Sequence, residues 1–447
     1  MQIQQEKISL VNGRIHTPYE TASNITFENG RIVSINDEVR NLNGQIIDLQ
    51  GRTVLPGFCD SGLNFLSWSE SQERLSLNNI HSVKEFSDAL SAYTHANPKP
   101  LRGWYIAYDL PDNLIISRDE LDNITSSRPC AIIDRENSHA ILNSPAMTEF
   151  NMPQDNVELD EFYLHLPELS DEDILYLLKT YSPKINALGI SELWIDFYSG
   201  SDSSRLWEIF SEEAYDLLTF RLRCNFAFND LQTLNEFLAT GLRTGDGLPL
   251  CKMGGIIING KPEQKEEQNN MIYSAHLSGC QIISDNSKPC LNALERVIKK
   301  TRKNMRHLIR NFNASSLDRM KMLGFGGILT NEQSSNQENN FLHETFQNGL
   351  VISSGSGDKL TAPVKNISSF MNFNEGLSAA EALNLYTWGS AWNGGNENRR
   401  GEISLGCDAD LVVLEQDPFL VRPDETAAID VALTFCAGCA VYESGAI

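Results

Sequence analysis

Histidine is the residue type whose spacing bears most directly on the chemistry of this chain. Imidazole pairs in His-x-His or His-Glu-x-x-His spacing bring two nitrogens to one metal ion, which can then activate water for hydrolysis. The chain contains eight histidines, and no two of them stand in either spacing. They are His16, His81, His95, His139, His165, His276, His307 and His343. We therefore expect no catalytic transition metal.

Three other short patterns are reminiscent of functional motifs, and each has a simpler structural explanation. Residues 255–261 have the spacing of a phosphate-binding loop, but Pro262 stands where a Mg²⁺-binding hydroxyl belongs, and the intervening isoleucines indicate a buried strand. Cys436 and Cys439 have Cys-x-x-Cys spacing without a second pair. Residues 355–357, Gly-Ser-Gly, are typical of a turn at a strand end.

The charge of the chain limits its partners. A formal net charge of −23 argues against nucleic-acid binding, because contacts to phosphate depend on clustered Lys and Arg. A small-molecule ligand or a protein partner is compatible with this charge. We also expect a homo-oligomer.

The chain has the features of a cytoplasmic protein. Its first residues show no basic patch followed by an apolar run, and no stretch reaches membrane-spanning length, so we expect no leader and no membrane partner. The nine cysteines are scattered, often inside apolar runs, which is typical of reduced thiols in a protein core. These features predict a reducing, cytoplasmic location.

Both ends of the chain contain short β-rich runs separated by turn residues. In residues 1–57, Asn-Gly pairs at 12–13 and 29–30 lie between such runs and predict hairpins. In residues 399–447, the apolar run 411–414 is followed by further short runs. Because neither end alone can bury a sheet face, we predict one composite β-sandwich domain built from both ends.

Residues 58–398 alternate between apolar runs bounded by turns and longer segments with helical periodicity. The predicted strands include residues 130–133, 190–195, 219–228, 254–258, 281–284, 307–309, 327–329 and 350–353, and the predicted helices include 171–180, 206–218, 292–303 and 379–387. This alternation predicts an α/β fold with a parallel sheet, whose common closed form at this size is the TIM (β/α)₈ barrel. Periodicity alone leaves an open, doubly wound sheet as the alternative.

Four segments resemble the amidohydrolase superfamily, and they occur in the same order along the chain. GRTVLPGFCD at 51–60 is similar to the opening barrel strand of that superfamily, and GEISLGCDADLVVL at 401–414 to the return into its sheet domain. The segment 128–144 resembles a signature of the branch containing the N-substituted formamide deformylases, which includes YtcJ-like proteins. Residues 381–387, EALNLYT, also match.

The resemblance implies a centre of one or two zinc or similar divalent ions at the carboxyl ends of the barrel strands, where metal-bound water attacks a carbon–nitrogen bond. Carried over onto this chain, the first two ligands, a His-x-His pair, fall on Gly62 and Asn64. The lysine or acidic ligand falls near Gly255, and the nearest amine, Lys252, is out of register.

The remaining implied ligand positions also lack histidine. The two later histidines of the family fall on Ser284 and Asn311, and His307 lies at the wrong end of its strand. The closing aspartate falls at Gly357 or, with one residue of slippage, at Asp358, which we name as the one candidate catalytic residue. The residues at the implied positions therefore predict that no metal is bound.

Two further residues, His139 and Asp60, each allow a functional and a structural interpretation. In the resembled branch, the loop that holds His139 faces the substrate, but a loop histidine bonded to backbone is the plainer expectation. Asp60 is either a carboxylate that once oriented a ligand imidazole or a simple turn acceptor.

We therefore predict an amidohydrolase-like protein that has lost metal-dependent hydrolysis and binds a small molecule or a protein partner. One alternative is an active hydrolase of amide, formamide or cyclic amide bonds that uses Asp358, Asp60, His139 or Asp285 without a standard metal site. Another is a structural subunit of a homo-oligomer or of a complex with an active relative.

Overall fold

The computed structural model of the chain describes residues 7–37, 44–111, 114–125, 127–134, 138–198, 202–258, 265–285, 288–330, 341–372 and 376–445. The chain divides into two compact units. Unit 1 consists of residues 1–65 and 178–447, and unit 2 consists of residues 66–177.

The strands, in chain order, are β1 Lys7–Val11, β2 Arg14–His16, β3 Thr21–Ala22, β4 Ile25–Glu28, β5 Arg31–Ile35, β6 Gly44–Asp48, β7 Thr53–Pro56, β8 Phe58–Leu63, β9 Leu75–Ser76, β10 Tyr105–Tyr108, β11 Cys130–Asp134, β12 His139–Leu142, β13 Asn156–Glu158, β14 Ile190–Phe197, β15 Arg221–Ala227, β16 Gly247–Leu248, β17 Cys251–Ile258, β18 Gln281–Asp285, β19 Leu308–Arg310, β20 Gly326–Thr330, β21 Ile352–Gly355, β22 Leu411–Leu414, β23 Val431–Cys436 and β24 Cys439–Glu443.

The α-helices are α1 Phe65–Gln72, α2 Val83–Ala96, α3 Arg118–Thr125, α4 Ser144–Phe150, α5 Leu159–His165, α6 Asp171–Asn186, α7 Ser203–Glu208, α8 Leu231–Leu238, α9 Lys265–Leu277, α10 Lys288–Thr301, α11 Leu317–Leu323, α12 Phe341–Gln347, α13 Pro363–Asn372, α14 Ala379–Asn384, α15 Trp388–Asn393 and α16 Pro423–Thr426.

A ring of parallel strands forms the centre of unit 1. Among the described residues the order is β8, β14, β15, β17, β18, β19, β20 and β21, and each neighbouring pair along this path is parallel. The ring closes because Leu63 and Gly357 form a parallel bridge, and the Gly357 amide donates to the Gly62 carbonyl at 2.8 Å. The predicted (β/α)₈ barrel is confirmed.

The interior of the ring identifies which residues face a ligand. Seven of its strands each contribute one side chain to a single buried cluster: Cys59, Trp194, Ala227, Ile257, Ile283, Leu308 and Ile328. Because side chains alternate along a strand, the residues two positions after Trp194, Ile283 and Leu308 also face the lumen. Asp196, Asp285 and Arg310 therefore face the lumen at the carboxyl edge, where barrels of this class carry their sites.

Two further sheets of unit 1 are built from the two ends of the chain. One has the order β5-β4-β1-β6 and the other β24-β23-β22-β7-β2-β3. Both contribute to one apolar core, which contains Ile8 and Phe27 from the first sheet and Val54 and Phe435 from the second. The two chain ends thus form a sandwich with a shared core, and the antiparallel pairing of β7 with β22 joins them.

Unit 2 has its own sheet, in the order β13-β12-β11-β10-β9. Separate apolar cores pack against its two faces, one including Leu90 and Ile132 and the other including Ile133 and Phe162. The unit follows the first barrel strand in the chain and precedes the second. Sequence analysis did not distinguish it.

None of the helices in the described ranges is both long enough and apolar enough to cross a bilayer.

Candidate functional site at the barrel mouth

An ion pair crosses the lumen at the carboxyl edge of the barrel. Arg310 ends β19 and Asp196 lies near the end of β14, and these strands stand four places apart in the ring of eight. Arg310 Nη2 donates to Asp196 Oδ2 at 2.6 Å. The two side chains are 12% and 6% exposed. The mouth of the barrel is therefore spanned by a buried guanidinium–carboxylate pair.

Neighbouring amides hold the carboxylate of this pair. Asn225 Nδ2 donates to Asp196 Oδ1 at 2.9 Å, so both oxygens of Asp196 have partners. The Gly255 amide in turn donates to Asn225 Oδ1 at 2.7 Å. Burial lowers the pKa of the Arg310 guanidinium, but the charge of Asp196, together with Tyr198 and the hydrogen bonds to both, leaves that pKa above its usual value. Hydrogen bonds to both oxygens of Asp196 thus hold the pair in position.

Gly62 faces this pair. A Cβ atom placed on Gly62 would lie 3.5 Å from Arg310 Nη2 and 3.5 Å from Asp196 Oδ2. A methyl group fits at these distances, but a longer side chain pointing the same way would enter the space of the guanidinium. The resemblance assigns the first metal-binding imidazole to this position, so the ion pair and that imidazole compete for one space.

Asn64, Gly357 and Asp358 come together where the ring closes. The Asn64 amide donates to the Gly357 carbonyl at 2.9 Å, and Asn64 Nδ2 donates to Asp358 Oδ1 at 3.4 Å. Asp358 is exposed, and Gly357 has a φ of 69° with open space around its Cα. The candidate catalytic Asp358 therefore lies at the barrel rim beside Asn64.

Asp60 is buried in the joint between the first and last barrel strands. Its Oδ1 accepts hydrogen bonds from the amides of Gly62 at 3.2 Å and Ser356 at 3.0 Å. Burial raises the pKa of the Asp60 carboxyl, and these hydrogen bonds offset part of that increase. The carboxyl group ties β8 to the turn after β21 and has no contact with solvent.

The other implied ligand positions do not converge on the lumen. Ser284 alternates with the lumen-facing Ile283, so it faces the surrounding helices, and its hydroxyl is buried without a partner in the described structure. A Cβ on Gly255 would lie 2.8 Å from Ile283 Cγ1, which leaves no room for a longer side chain. Asn311 is exposed, with a φ of 53°.

His139 lies outside the barrel. It begins β12 in the sheet of unit 2, and its Nε2 is 3.3 Å from Glu158 Oε1 on the neighbouring strand. The side chain is 35% exposed. Within unit 2, its observed role is this ionic contact along a sheet edge.

All eight histidines fall within the described residues, so the element that carries each of them is known. They lie on β2, in the loop before α2, on α2, on β12, on α5, on α9, directly before β19 and on α12. His307, the one next to a barrel strand, precedes β19 and so lies at the amino end of the ring. No imidazole lies at the carboxyl end of a barrel strand.

Comparison with known proteins shows similarity to amidohydrolases. A model described as the Amidohydrolase family matches residues 343–442. YtcJ of Bacillus subtilis (strain 168), an amidohydrolase by name, is 42% identical over 72 residues. An uncharacterized metal-dependent hydrolase from Pyrococcus furiosus shares the fold, with a TM-score of 0.75 and 18% identity over 92% of this chain and 100% of that chain. Residues 343–442 are thus similar to the Amidohydrolase family, and the chain shares its fold with a metal-dependent hydrolase.

The curated members of the superfamily match this chain over short stretches. The alignment with YtcJ covers 16% of this chain and 14% of YtcJ. AepA of Pectobacterium carotovorum, named an exoenzymes regulatory protein, is 27% identical over 151 residues, which is 30% of this chain and 32% of AepA. These matches show sequence similarity over short stretches, and they assign no activity to this chain.

The residues at this mouth do not fit the metal ion that the superfamily implies. Within the described ranges, no three His, Cys, Asp or Glu side chains are grouped so that they could hold a metal. The enclosed Asp60 Oδ2 has no hydrogen-bond partner there, but a single carboxylate oxygen does not make a site. Asp196, whose Oδ2 would lie 3.5 Å from a Cβ on Gly62, is already paired with Arg310.

Sequence analysis did not single out Asp196, Asn225 or Arg310. The available signal was weak: Asp196 and Arg310 are isolated charges near the ends of two apolar runs. Their pairing joins positions 114 residues apart and depends on which strands face each other across the ring. Recognising it requires the closed barrel.

Proposed function

We propose that this protein is a member of the amidohydrolase superfamily that has lost metal-dependent hydrolysis and works as a binding protein. The observation that carries the proposal is the location of the histidines, because none of the eight lies on or directly after the carboxyl end of a barrel strand. Without imidazole ligands, a divalent ion is not held where it could lower the pKa of water.

The barrel mouth supports binding of a small polar molecule. Asn64 and Asp358 offer amide and carboxylate groups at the rim, and Tyr198, at the end of β14, is half exposed. Such groups can orient a ligand without reacting with it. The name of AepA, a regulatory protein, also fits a role that needs no catalysis.

A turnover assay tests this proposal. Purified full-length protein is incubated with formamides, N-acyl compounds and cyclic amides, with added Zn²⁺ or Mn²⁺ and with a chelator. We expect no turnover under any condition. Hydrolysis that depends on metal and stops with the chelator would contradict the proposal. The same compounds are then tested for an increase in melting temperature, the expected sign of binding to the folded chain.

One observation favours a second candidate, a hydrolase that works by acid–base catalysis without a metal. The pKa of Asp60 is raised by burial, as in carboxyl groups that act as general acids. Turnover that resists the chelator and is lost in Asp60→Asn, while Asp358→Asn stays active, would support this candidate. Because the Asp60 side chain is fully enclosed, binding without turnover is the better-supported function.

A further inference from the structure

We propose that Arg310 is the resident cation of the barrel mouth, whose guanidinium occupies the space of the superfamily's metal ion and keeps divalent metal out. This inference rests on the proposed loss of metal-dependent hydrolysis and gives it a physical cause. Loss of the ligand side chains alone would leave a polar pocket open to a metal ion. A fixed guanidinium in that pocket also repels a second cation.

The position of the guanidinium is the first argument. Arg310 Nη2 lies 3.5 Å from a Cβ placed on Gly62, the position at which the resemblance expects the first imidazole ligand. The ring of an imidazole that extends from this Cβ toward Arg310 would overlap the guanidinium, so a metal ion could not be held there by that ring. Ligand and guanidinium cannot both be accommodated.

The charge of the pair is the second argument. Asp196 contributes one negative charge to this part of the lumen, and Arg310 neutralises it at 2.6 Å. A divalent ion needs uncompensated anionic or imidazole donors, and it is repelled by a cation a few ångströms away in a poorly hydrated space. Arginine is suited to this role because its side chain keeps its charge at every accessible pH.

The support around the pair is the third argument. Asn225 binds the second oxygen of Asp196 at 2.9 Å, and the Gly255 amide fixes Asn225 at 2.7 Å. Asp196 therefore cannot turn toward a metal without breaking a buried network of hydrogen bonds. The strands that supply the network, β14, β15, β17 and β19, are barrel strands, so the cation is held by the central sheet of unit 1.

The test restores the missing imidazoles in the presence and absence of the guanidinium. One variant of the full chain carries Gly62→His and Asn64→His, and a second carries these changes together with Arg310→Gln. Both are titrated with Co²⁺, whose visible absorption reports coordination by nitrogen and oxygen donors, and circular dichroism checks their folding. Wild-type protein and Arg310→Gln alone serve as controls.

We expect the variant without Arg310 to bind one equivalent of Co²⁺ at least about tenfold more tightly than the variant that retains it. Equal affinity in the two variants would overturn the inference, as would one tightly bound equivalent at the mouth of the wild-type protein. If Arg310→Gln prevents folding, Arg310→Met removes the same charge while keeping the apolar stem, and the comparison is made with it.

The two proposals fail in different ways. Hydrolysis by the wild-type protein that resists a chelator would end the proposed binding function and leave metal exclusion by Arg310 intact. Equal Co²⁺ binding with and without Arg310 would end the inference about the guanidinium and leave the turnover result unchanged.

Discussion

Arg310 and Asp196 meet across the barrel lumen, with 2.6 Å between Nη2 and Oδ2 and with strands β19 and β14 on opposite sides of the ring. The pair is the most buried ionic contact that joins facing strands at the carboxyl edge in the described structure. Its consequences extend from the stability of the barrel to the chemistry of the mouth.

The first prediction concerns the contribution of this pair to stability. Arg310→Met leaves the Asp196 carboxylate buried without its cation, so we expect a loss of about 3–5 kcal/mol in the free energy of unfolding. Urea unfolding measures it. The matched control is Arg319→Met, which breaks the more exposed pair with Glu295 and should cost less than about 1 kcal/mol. Equal costs in the two variants would contradict this prediction.

The second prediction concerns the closure of the ring. A Cβ on Gly355 would lie 2.7 Å from the Gly62 amide nitrogen, so Gly355→Ala must push β8 and β21 apart. We expect it to destabilise the protein by about 1–3 kcal/mol, as overpacking does in a close-packed core. Gly62→Ala is the control, because its nearest neighbours lie at an ordinary contact distance of 3.5 Å. A thermal melt in which Gly355→Ala matches wild type would show that closure is looser than described.

The third prediction concerns a buried histidine pair at the amino end of the barrel. The Ile282 amide donates to His307 Nδ1 at 3.0 Å, which leaves His307 Nε2 as the donor to His276 Nδ1 at 3.0 Å. Burial, and then the charge of His276, lowers the pKa of His307 to about 3. Both rings are therefore neutral in the folded protein at neutral pH.

This lowered pKa gives the pH dependence a definite sign. Between the ordinary histidine pKa near 6.5 and about 3, the unfolded chain binds a proton at His307 that the folded chain does not. Stability should therefore fall as the pH drops below about 6.5, by up to about 1.4 kcal/mol per pH unit for this proton. His307→Gln should flatten that decline in urea unfolding, whereas the exposed His95→Gln should not. Parallel pH profiles for wild type and His307→Gln would rule this explanation out.

The fourth prediction concerns the ion pairs at the start of β15. Arg221 Nε donates to Asp410 Oδ2 at 2.6 Å and Nη2 donates to Asp410 Oδ1 at 3.2 Å, and both side chains are buried. Asp410 directly precedes β22, so the contact ties a barrel strand to the sandwich. Arg221→Met should cost about 3–5 kcal/mol in urea unfolding. The exposed pair of Arg422 with Asp424 supplies the control, where Arg422→Met should change stability little. A small effect at Arg221 would contradict this contribution of the ion pair.

Much of the fold could be predicted because it follows from local patterns. Apolar runs bounded by turns marked barrel strands such as residues 190–195 and 281–284, and the Asn-Gly pair at 29–30 marked the hairpin of β4 and β5. The hairpin predicted at residues 12–13 was wrong, because β1 and β2 lie in different sheets. Unit 2 could not be separated, because its strands and helices have the same local character as those of the barrel.

The candidate site was harder to predict, because it depends on register and on distant pairing. The ladder of β18 continues to Asp285, and since neighbouring residues on a strand face opposite sides, Ser284 points out of the lumen and Asp285 into it. The sequence does indicate that imidazoles are missing from positions 62 and 64. It contains no sign that a guanidinium from position 310 lies beside Gly62.

A crystal structure of the full chain grown with Zn²⁺, with anomalous diffraction recorded at the zinc edge, tests the central claim most directly. We predict no anomalous peak in the barrel lumen and continuous density joining Arg310 to Asp196. A peak coordinated by Asp60, Asp196 or Asp285, with the Arg310 side chain turned away, would contradict the account.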